Sequence, residues 1–180
     1  MRDAVSTERL TLVRWAPEHR DHLLRLSRDE RVTRYVRDGL PWPAEYARRR
    51  HEGALEHWER HGFGWRAVEE TATGELIGVA SAVRRDATAD LPAGAVEIGW
   101  WVDPPLWGRG LATEIARALR DEAFRTGAPV VAARWIDGNT ASGRVITRIG
   151  LAHLRSYRDE QDRFLHLHAT ANPRAGRVRS

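Results

Sequence analysis

Two glycines between an apolar segment and a helix-like segment are the first residues in this sequence whose spacing indicates chemistry. Gly108 and Gly110 separate residues 95–102 from a helical pattern that begins at Leu111. Glycine lets the backbone approach a ligand closely and reach positive φ angles that other residues avoid. The unpaired N–H groups of a helix start, together with the helix dipole, attract anions. This loop therefore indicates a site for a phosphate or pyrophosphate.

Only one of three phosphate-binding patterns agrees with the loop. The Walker loop requires a lysine after its second glycine, and the chain contains no lysine. The dinucleotide fingerprint requires Gly-x-Gly-x-x-Gly directly after a strand, whereas residues 108–113 end in threonine and follow the strand only after residues 103–107. The third pattern is x-x-x-Gly-x-Gly/Ala, usually with Gln or Arg first. Residues 107–112 match it as Trp-Gly-Arg-Gly-Leu-Ala.

These six residues resemble the acetyl-CoA pyrophosphate loop of the GNAT superfamily of N-acetyltransferases. Trp107 departs from the usual first residue, but residues 107–114 resemble the RimJ/RimL-type branch, as does the opening Thr-Glu-Arg-Leu of residues 7–10. The resemblance implies that the loop binds acetyl-CoA. The loop residues implied as cofactor contacts are Trp107, Gly108, Arg109, Gly110, Leu111, Ala112 and Thr113.

Composition limits the class of protein. A chain of 180 residues suits one domain with a full core, and 42% hydrophobic residues with mixed charges indicate a folded protein. The absence of cysteine excludes disulfides, thiolate metal sites and a cysteine nucleophile. Because there is no long apolar run and no hydrophobic signal segment, we expect a cytoplasmic location without membrane contact.

The charge pattern argues against nucleic acid as the main partner. The net charge is +4, the sequence pI is about 10.4, and all 29 basic residues are arginines. However, 25 acidic residues are interspersed with them, and only residues 174–179 are basic without acidic neighbours. Nucleic-acid binding needs basic residues clustered on one face. We therefore expect no nucleic-acid partner.

The predicted elements follow one another as a strand, two helices, three strands, a helix, a strand, a helix and two strands. Residues 1–6 are expected to be a loose terminus. Strands are predicted over residues 10–15, 63–69, 75–83, 95–102, 129–136, 152–157 and 163–170. Helices are predicted from Pro17, over residues 44–61 and 111–126, and after Asn139 or Thr140, and a short additional helical piece is predicted over residues 29–35.

This order is similar to the GNAT fold from end to end. The resemblance implies an α/β (α+β) fold of the GNAT acyl-CoA N-acyltransferase type. It contains a mixed, mostly antiparallel sheet of about seven strands, flanked by helices. We expect residues 1–170 to form a single N-acetyltransferase domain and residues 171–180 to form an Arg-rich flexible tail.

A second group of residues stands at the predicted helix after residue 138. Many family members carry Asn-x-x-Ala-x-x-x-Tyr-x-x-x-Gly-Phe there, and this chain has Asn139, Ser142 and Ile146 at the corresponding positions. The resemblance implies that Asn139 contacts the pantetheine arm, although a helix cap would need the same residue. Ser142 could donate a proton or hydrogen bond to the leaving thiolate, or simply pack against the cofactor. Tyr157 and water are further candidates for that proton, because Ile146 replaces the tyrosine.

The central strand carries the candidate base. Glu97 resembles the family glutamate that takes the proton of the amine, often through water; a structural, hydrogen-bonded carboxylate is the alternative. Backbone groups near Trp101 and Val102 are implied as the edge along which the cofactor extends the sheet. Metal binding is not expected, since the histidines lack a third ligand at suitable spacing.

The sequence thus predicts an enzyme that moves an acetyl group from acetyl-CoA to a primary amine, without a metal. The acceptor could be a small molecule or, from the RimJ/RimL resemblance, a protein N-terminus. A CoA-binding sensor or degenerate acetyltransferase without turnover is the alternative that Ile146 leaves open, and an Arg-rich nucleic-acid-binding module is a third alternative, which the charge pattern disfavours. A homodimer is compatible with the family, and segments 36–42 and 84–94 are expected to shape the acceptor pocket.

Overall fold

One open sheet forms the centre of the protein in the computed structural model, which describes residues 3–174. The described residues form eight strands in the spatial order β1-β2-β3-β4-β5-β6-β8-β7. Along the chain they are β1 (Ala4–Ser6), β2 (Leu10–Arg14), β3 (Arg66–Glu70), β4 (Leu76–Arg84), β5 (Val96–Val102), β6 (Val130–Ile136), β7 (Ala152–Arg158) and β8 (Phe164–Ala171).

Helices lie on both faces of this sheet. In the described chain they are α1 (Arg20–Arg28), α2 (Glu30–Thr33), α3 (Ala44–His61), α4 (Leu111–Arg125) and α5 (Thr140–Arg148). Short 3₁₀ turns at Pro17–His19 and Pro104–Leu106 precede α1 and α4. Gly62 ends α3 in the left-handed conformation, with a φ of 68°. This is the usual way in which a glycine terminates a helix.

All neighbouring strands are antiparallel except β5 and β6, which pair in parallel. β5 pairs with β4 along its whole length, from Val96 to Val102. With β6 it pairs only at Val96 and Glu97. The two strands therefore separate after Glu97 and leave an opening in the middle of the sheet.

The two faces of the sheet have separate cores. On one face, α4 and α5 pack on β5 through apolar residues that include Ile98, Ile115 and Ile146. On the other face, tryptophans of α3 and its neighbours, including Trp15, Trp58 and Trp65, form a second cluster. Side chains alternate along a strand, so Ile98 contacts the first core and Trp101 contacts the second. Glu97 shares the face of Trp101.

The fold class predicted from the sequence is confirmed, with one strand more than expected. Residues 4–6 form β1 where a loose terminus was predicted. This strand is short and its side chains are largely exposed, so it carries little hydrophobic pattern. Main-chain pairing with β2 holds it, and the carbonyl of Asp3 accepts the N–H of Arg14 at 2.7 Å.

The predicted tail begins too early. Ala171 still belongs to β8, and the side chain of Asn172 donates to the carbonyls of Phe124 and Ala128, both at 3.0 Å. These bonds anchor the chain to the end of α4, so residues 171 and 172 are part of the folded domain. Residues 175–180 lie outside the described part of the chain.

Candidate active site

A groove of about 1020 Å³ lies where β5 and β6 separate. One wall is the edge of β5 and the loop that leads into α4, and the start of α5 forms the opposite wall. Most residues of segment 30–37, which follows α1, also line the groove. The groove therefore joins the glycine loop, the central carboxylate and the segment after α1 in one continuous space.

The open edge of β5 offers backbone groups to this groove. Hydrogen-bonded pairs alternate along an antiparallel ladder, and the N–H of Asp103 donates to Ile77 of the chain segment that includes β4, at 2.8 Å. By this alternation the backbone of Trp101 faces Val79 of β4, whereas Trp100 and Val102 face the groove. Val102 is thus the better placed of the two predicted docking residues, and its carbonyl accepts the indole N–H of Trp107 at 2.7 Å.

The glycine loop has the conformation that its sequence indicates. Gly108 and Gly110 have φ angles of 81° and 79°, in the left-handed region that favours glycine. Gly110 caps α4, and its carbonyl accepts the N–H groups of Thr113 and Glu114. Among the described residues, the N–H groups of Leu111 and Ala112 have no partner. Unpaired donors at a helix start form an anion site.

A network of hydrogen bonds and an ion pair, called the tie below, joins Thr7 and Arg9 to α4 and to the glycine loop. The Glu114 carboxylate accepts the hydroxyl of Thr7 at 2.5 Å and the backbone N–H of Arg9 at 2.8 Å. The guanidinium of Arg9 binds the same carboxylate and donates to the carbonyl of Arg109 at 2.9 Å. Burial would raise the pKa of Glu114, but the hydrogen bonds from Thr7 and Arg9 outweigh it and hold the pKa below its usual value.

Sequence reasoning missed this tie, although it had selected both partners as family-like segments. The sequence signal for this contact was the presence of both segments, Thr-Glu-Arg-Leu near the start and Ala-Thr-Glu after the loop. The contacting residues Arg9 and Glu114 are 105 positions apart in the sequence. Arg109 is used differently from the prediction. It is exposed, it does not line the groove, and only its carbonyl takes part in the tie. The other predicted loop residues line the groove, as Trp107, Gly108, Gly110, Leu111, Ala112 and Thr113.

Asn139 and Ser142 meet at the start of α5. The side-chain oxygen of Asn139 accepts the N–H of Ser142 at 3.3 Å and caps the helix, while both residues line the groove. The cap uses the amide oxygen of Asn139, so its NH₂ group is left for a ligand. Ile146 is fully buried in the core under α4. The position that carries a tyrosine in many relatives therefore does not open onto the groove.

Glu97 is held by two arginines that sequence reasoning did not select. Its Oε2 accepts the Nε–H of Arg85 at 2.7 Å and an N–H of Arg134 at 2.6 Å. Within the described chain its Oε1 has no hydrogen-bond donor. Burial would lower the pKa of Arg134, but the charge of Glu97 and the contact with Tyr157 raise it above its usual value. The hydroxyl of Tyr157 accepts from Arg134 at 3.2 Å.

The segment after α2 builds the end of the groove beside the turn that follows β6. Tyr35 lies beside the turn after β6, since a Cβ atom at Gly138 would be 3.5 Å from its ring. Arg37 has a positive φ of 51° and places its guanidinium 4.2 Å from the ring centre of Tyr46. Of the two segments expected to shape this end, 36–42 contributes Val36 and Arg37 to the groove wall. None of residues 84–94 lines the groove.

Comparison with known proteins identifies the family. A model described as "Acetyltransferase (GNAT) domain" matches residues 9–152. The chain belongs to the GNAT family. The acetyltransferase class predicted from the sequence is confirmed at this level.

Individual relatives agree with this assignment. The chain is 30% identical over 162 residues to the FsC-acetyl coenzyme A-N(2)-transacetylase of Aspergillus fumigatus, covering 87% of this chain and 68% of that protein. It is similar to an acetyltransferase structure from Agrobacterium tumefaciens, with 27% identity, a TM-score of 0.77 and coverage of 93% and 94% of the two chains.

A second similar structure is RimL, the ribosomal L7/L12 α-N-protein acetyltransferase in complex with coenzyme A. It has 17% identity and a TM-score of 0.77, and the match covers 93% of this chain and 97% of that one. At this identity the likeness is one of fold.

Two features are absent from residues 3–174. No helix there is long and apolar enough to cross a membrane. No group of three or more His, Cys, Asp or Glu side chains there is arranged to hold a metal ion.

Proposed function

We propose that this protein transfers the acetyl group of acetyl-CoA to a primary amine, such as the α-amine of a protein N-terminus, by direct attack in a ternary complex. The observation that carries the proposal is the groove itself. It runs without interruption from the glycine loop, along the open edge of β5, to a carboxylate on the same strand. The printed names of the fungal N(2)-transacetylase and of RimL support an amine as the acceptor.

Each wall of the groove would contact a different part of the cofactor. The unpaired N–H groups of Leu111 and Ala112 would bind the pyrophosphate at the start of α4. The backbone of Val102 would bind the pantetheine amides, in the manner of a strand added to an open sheet edge. An N–H aimed at the developing oxyanion contributes about 2.7–4 kcal/mol in other acyl-transfer enzymes. Asn139 would add a contact from the opposite wall through its NH₂ group.

Glu97 is the proposed base. An α-amine with a pKa near 7.7–8.0 costs under about 1 kcal/mol to deprotonate at pH 7.4, whereas a lysine-like amine near 10.4 costs about 4 kcal/mol. The carboxylate needs only to accept this proton, directly or through water. Arg85 and Arg134 bind one of its oxygens and leave the other without a donor in the described chain, and the residue lines the groove. A purely structural carboxylate would make the same two ion pairs, so the role needs a kinetic test.

No covalent acetyl-cysteine intermediate can form, because the chain has no cysteine. The amine nitrogen attacks the thioester carbonyl, its proton passes to Glu97, and the C–S bond breaks to release CoA thiolate. A thiol with a pKa of about 8.5 leaves with modest assistance near neutral pH. Ser142, at the groove wall, is the proposed proton donor to this thiolate; water could also serve.

The proposal is tested by measuring thiol release from acetyl-CoA with a panel of amines from pH 6 to 9. In Glu97→Gln we expect kcat/KM to fall by about 10²–10⁴, the usual contribution of general acid–base catalysis, with the KM for acetyl-CoA unchanged. The loss should shrink as pH rises, because the amine then loses its proton to solvent.

The matched control is Glu45→Gln on α3, since Glu45 also binds two arginines but lies far from the groove. It should behave as wild type. If Glu97→Gln keeps full kcat/KM over the whole pH range, Glu97 is not the base.

A CoA-binding sensor is the second candidate, and the core position of Ile146 favours it, because no tyrosine from α5 reaches the groove. Calorimetry would then show CoA binding while no amine in the panel is acetylated. Acetylation of any amine at rates above the uncatalysed reaction would remove this candidate.

A further inference from the structure

The groove wall carries an excess of positive charge. Seven arginines line it against only two carboxylates, Glu30 and Glu97. Two of these arginines, Arg144 and Arg148, belong to α5 on the wall proposed for the cofactor, whose phosphates are anionic. The others lie on β6, directly before β8 or in residues 31–37. The charge excess therefore extends beyond the cofactor's wall to the end of the groove where the amine acceptor would bind.

Arg34 has no ionic partner at this end. Within residues 3–174 no carboxylate lies within ion-pair distance of it, and its guanidinium stands 5.4 Å from the ring centre of Tyr35. Its neighbour Arg31 differs, because Asp29 binds that guanidinium at 2.6 Å. Arg34 is thus an exposed cation on the groove wall whose charge is not neutralised by the described protein.

Arg163 provides an independent observation. Its Nε donates to Asp159 at 2.8 Å, and Nη2 binds the same carboxylate oxygen. Its Nη1 is buried and has no hydrogen-bond partner in the described chain. Buried polar groups are nearly always paired, and a guanidinium N–H without a partner calls for an oxygen acceptor. The side chain lines the groove, so a ligand there can supply one.

The strand pairing places Arg163 on the face of the sheet that carries Glu97 but at the other end of β6, because Glu97 pairs with Ala132 near the start of that strand and Leu165 pairs with its last residue. Side chains alternate along β8, so Arg163 faces the same way as Leu167, which packs in one cluster with Tyr157. The hydroxyl of Tyr157 binds Arg134, which binds Glu97. Leu165 pairs with Ile136 at the end of β6, so Arg163 lies near the turn that Tyr35 contacts at Gly138.

We propose that the amine acceptor carries an oxyanion, a carboxylate or phosphate, and that Nη1 of Arg163 and the guanidinium of Arg34 bind it. Guanidinium groups match both anions, with planar N–H donors suited to paired oxygens. The same molecule would then extend along β6 and bring its amine to Glu97. This inference rests on the proposed acetyl transfer and adds the chemical class of the acceptor.

Acceptor pairs that differ only in the anion test the proposal. One pair is an amino acid and its amide, a second is phosphoethanolamine and ethanolamine, and a third is a peptide with Asp or Asn at its second position. The wild type should prefer the anionic member of at least one pair by about tenfold or more in kcat/KM, as expected for a charged hydrogen bond. The preferred pair distinguishes carboxylate from phosphate and a small molecule from a peptide.

Two variants assign the preference to the arginines. Arg34→Gln and Arg163→Lys should raise the KM for the anionic acceptor about tenfold, while the KM for its neutral partner and for acetyl-CoA stays unchanged. Arg163→Lys keeps a cation that can bind Asp159, so the turn between β7 and β8 should keep its conformation. Arg49→Gln is the control, since Arg49 is a partly exposed arginine of α3 that does not line the groove. It should leave every constant unchanged.

Binding to the CoA-loaded protein separates this inference from the proposed function. If no amine is acetylated, calorimetry with the same pairs still reports whether the anionic member binds more tightly. Tighter binding without turnover supports the oxyanion site and contradicts acetyl transfer. Equal use or equal binding of both members in all three pairs overturns the oxyanion site, as does an equal loss for both members in Arg34→Gln.

Discussion

The two ends of the groove are built from different parts of the chain. The end at α4 uses the main chain, through the two left-handed glycines, the N–H groups at the helix start and the open edge of β5. The end beside the turn after β6 uses side chains, chiefly arginines from β6, from the residue before β8 and from the segment after α2. Backbone geometry suits a ligand that is the same throughout a family. Side chains can change between relatives, so they suit the ligand that differs.

The largest effect expected at the backbone end is that of Gly108→Ala. Forcing a residue with a Cβ atom into the left-handed region costs about 1–2 kcal/mol, and relief of that strain would move the loop away from the pyrophosphate position. We expect the Kd for CoA, measured by calorimetry, to rise about tenfold or more, with little change in acceptor preference.

Gly62→Ala is the matched control for this change. Gly62 has a similar φ of 68° at the end of α3, with no atom near its Cβ position. It should lose similar stability and keep the CoA affinity of the wild type. Unchanged CoA binding in Gly108→Ala would mean that the loop conformation is not what selects the cofactor.

Glu114→Gln should give an intermediate effect, because it weakens the tie without altering the loop itself. We expect the Kd for CoA to rise about threefold to tenfold, as for the loss of one charged hydrogen bond. Glu45→Gln is the control, since Glu45 also stands in the first turn of a helix beside arginines. An effect of Glu45→Gln on CoA affinity as large as that of Glu114→Gln would contradict a specific role for the tie.

The same variant has a defined pH signature. The folded-state pKa of Glu114 is lowered, so its contribution to stability is present above its unfolded pKa of about 4.3 and is lost as pH falls through the folded value. The wild type should therefore lose more stability than Glu114→Gln when thermal melts are extended below about pH 4.3. Parallel melting curves for the two proteins would contradict this.

The smallest expected effect is on stability, through the protonation of histidines in α1, in α3 and in the 3₁₀ turn before α1. Burial is the main cause of the lowered pKa values of His19, His22, His51 and His57. The unfolded chain binds protons at about pH 6.5, before the folded chain does, so stability should fall as pH drops below that value. Each kcal/mol lost should lower the Tm by about 2–4 °C.

The histidine prediction is checked with thermal melts from pH 8 to pH 5. His51→Asn can keep an acceptor for the Trp15 indole, which donates to His51 Nδ1 at 3.1 Å, and should flatten the pH dependence slightly. His153→Gln, at an exposed site on β7, is the control and should retain the slope. A slope that is the same in all three proteins would contradict the role of burial.

Local patterns explain which parts of the molecule were predictable. The helix over residues 44–61 was predicted to the residue, because its apolar spacing and the terminal glycine lie within one segment. The glycine loop is equally local. The arginines on Glu97 were not predictable, because Arg85 and Arg134 reach it only through the register of β4, β5 and β6. β1 was missed since its pairing is almost entirely main chain.

The short parallel ladder between β5 and β6 has a consequence for dynamics. Trp100 and Val102 lie in the middle of an eight-stranded sheet, yet on the β6 side the ladder ends before them. In hydrogen exchange their amides should therefore behave as those of an edge strand, exchanging faster than amides at the same depth in β4. A molecule seated along β5 would slow them, so exchange at these two central residues would report occupancy of the groove.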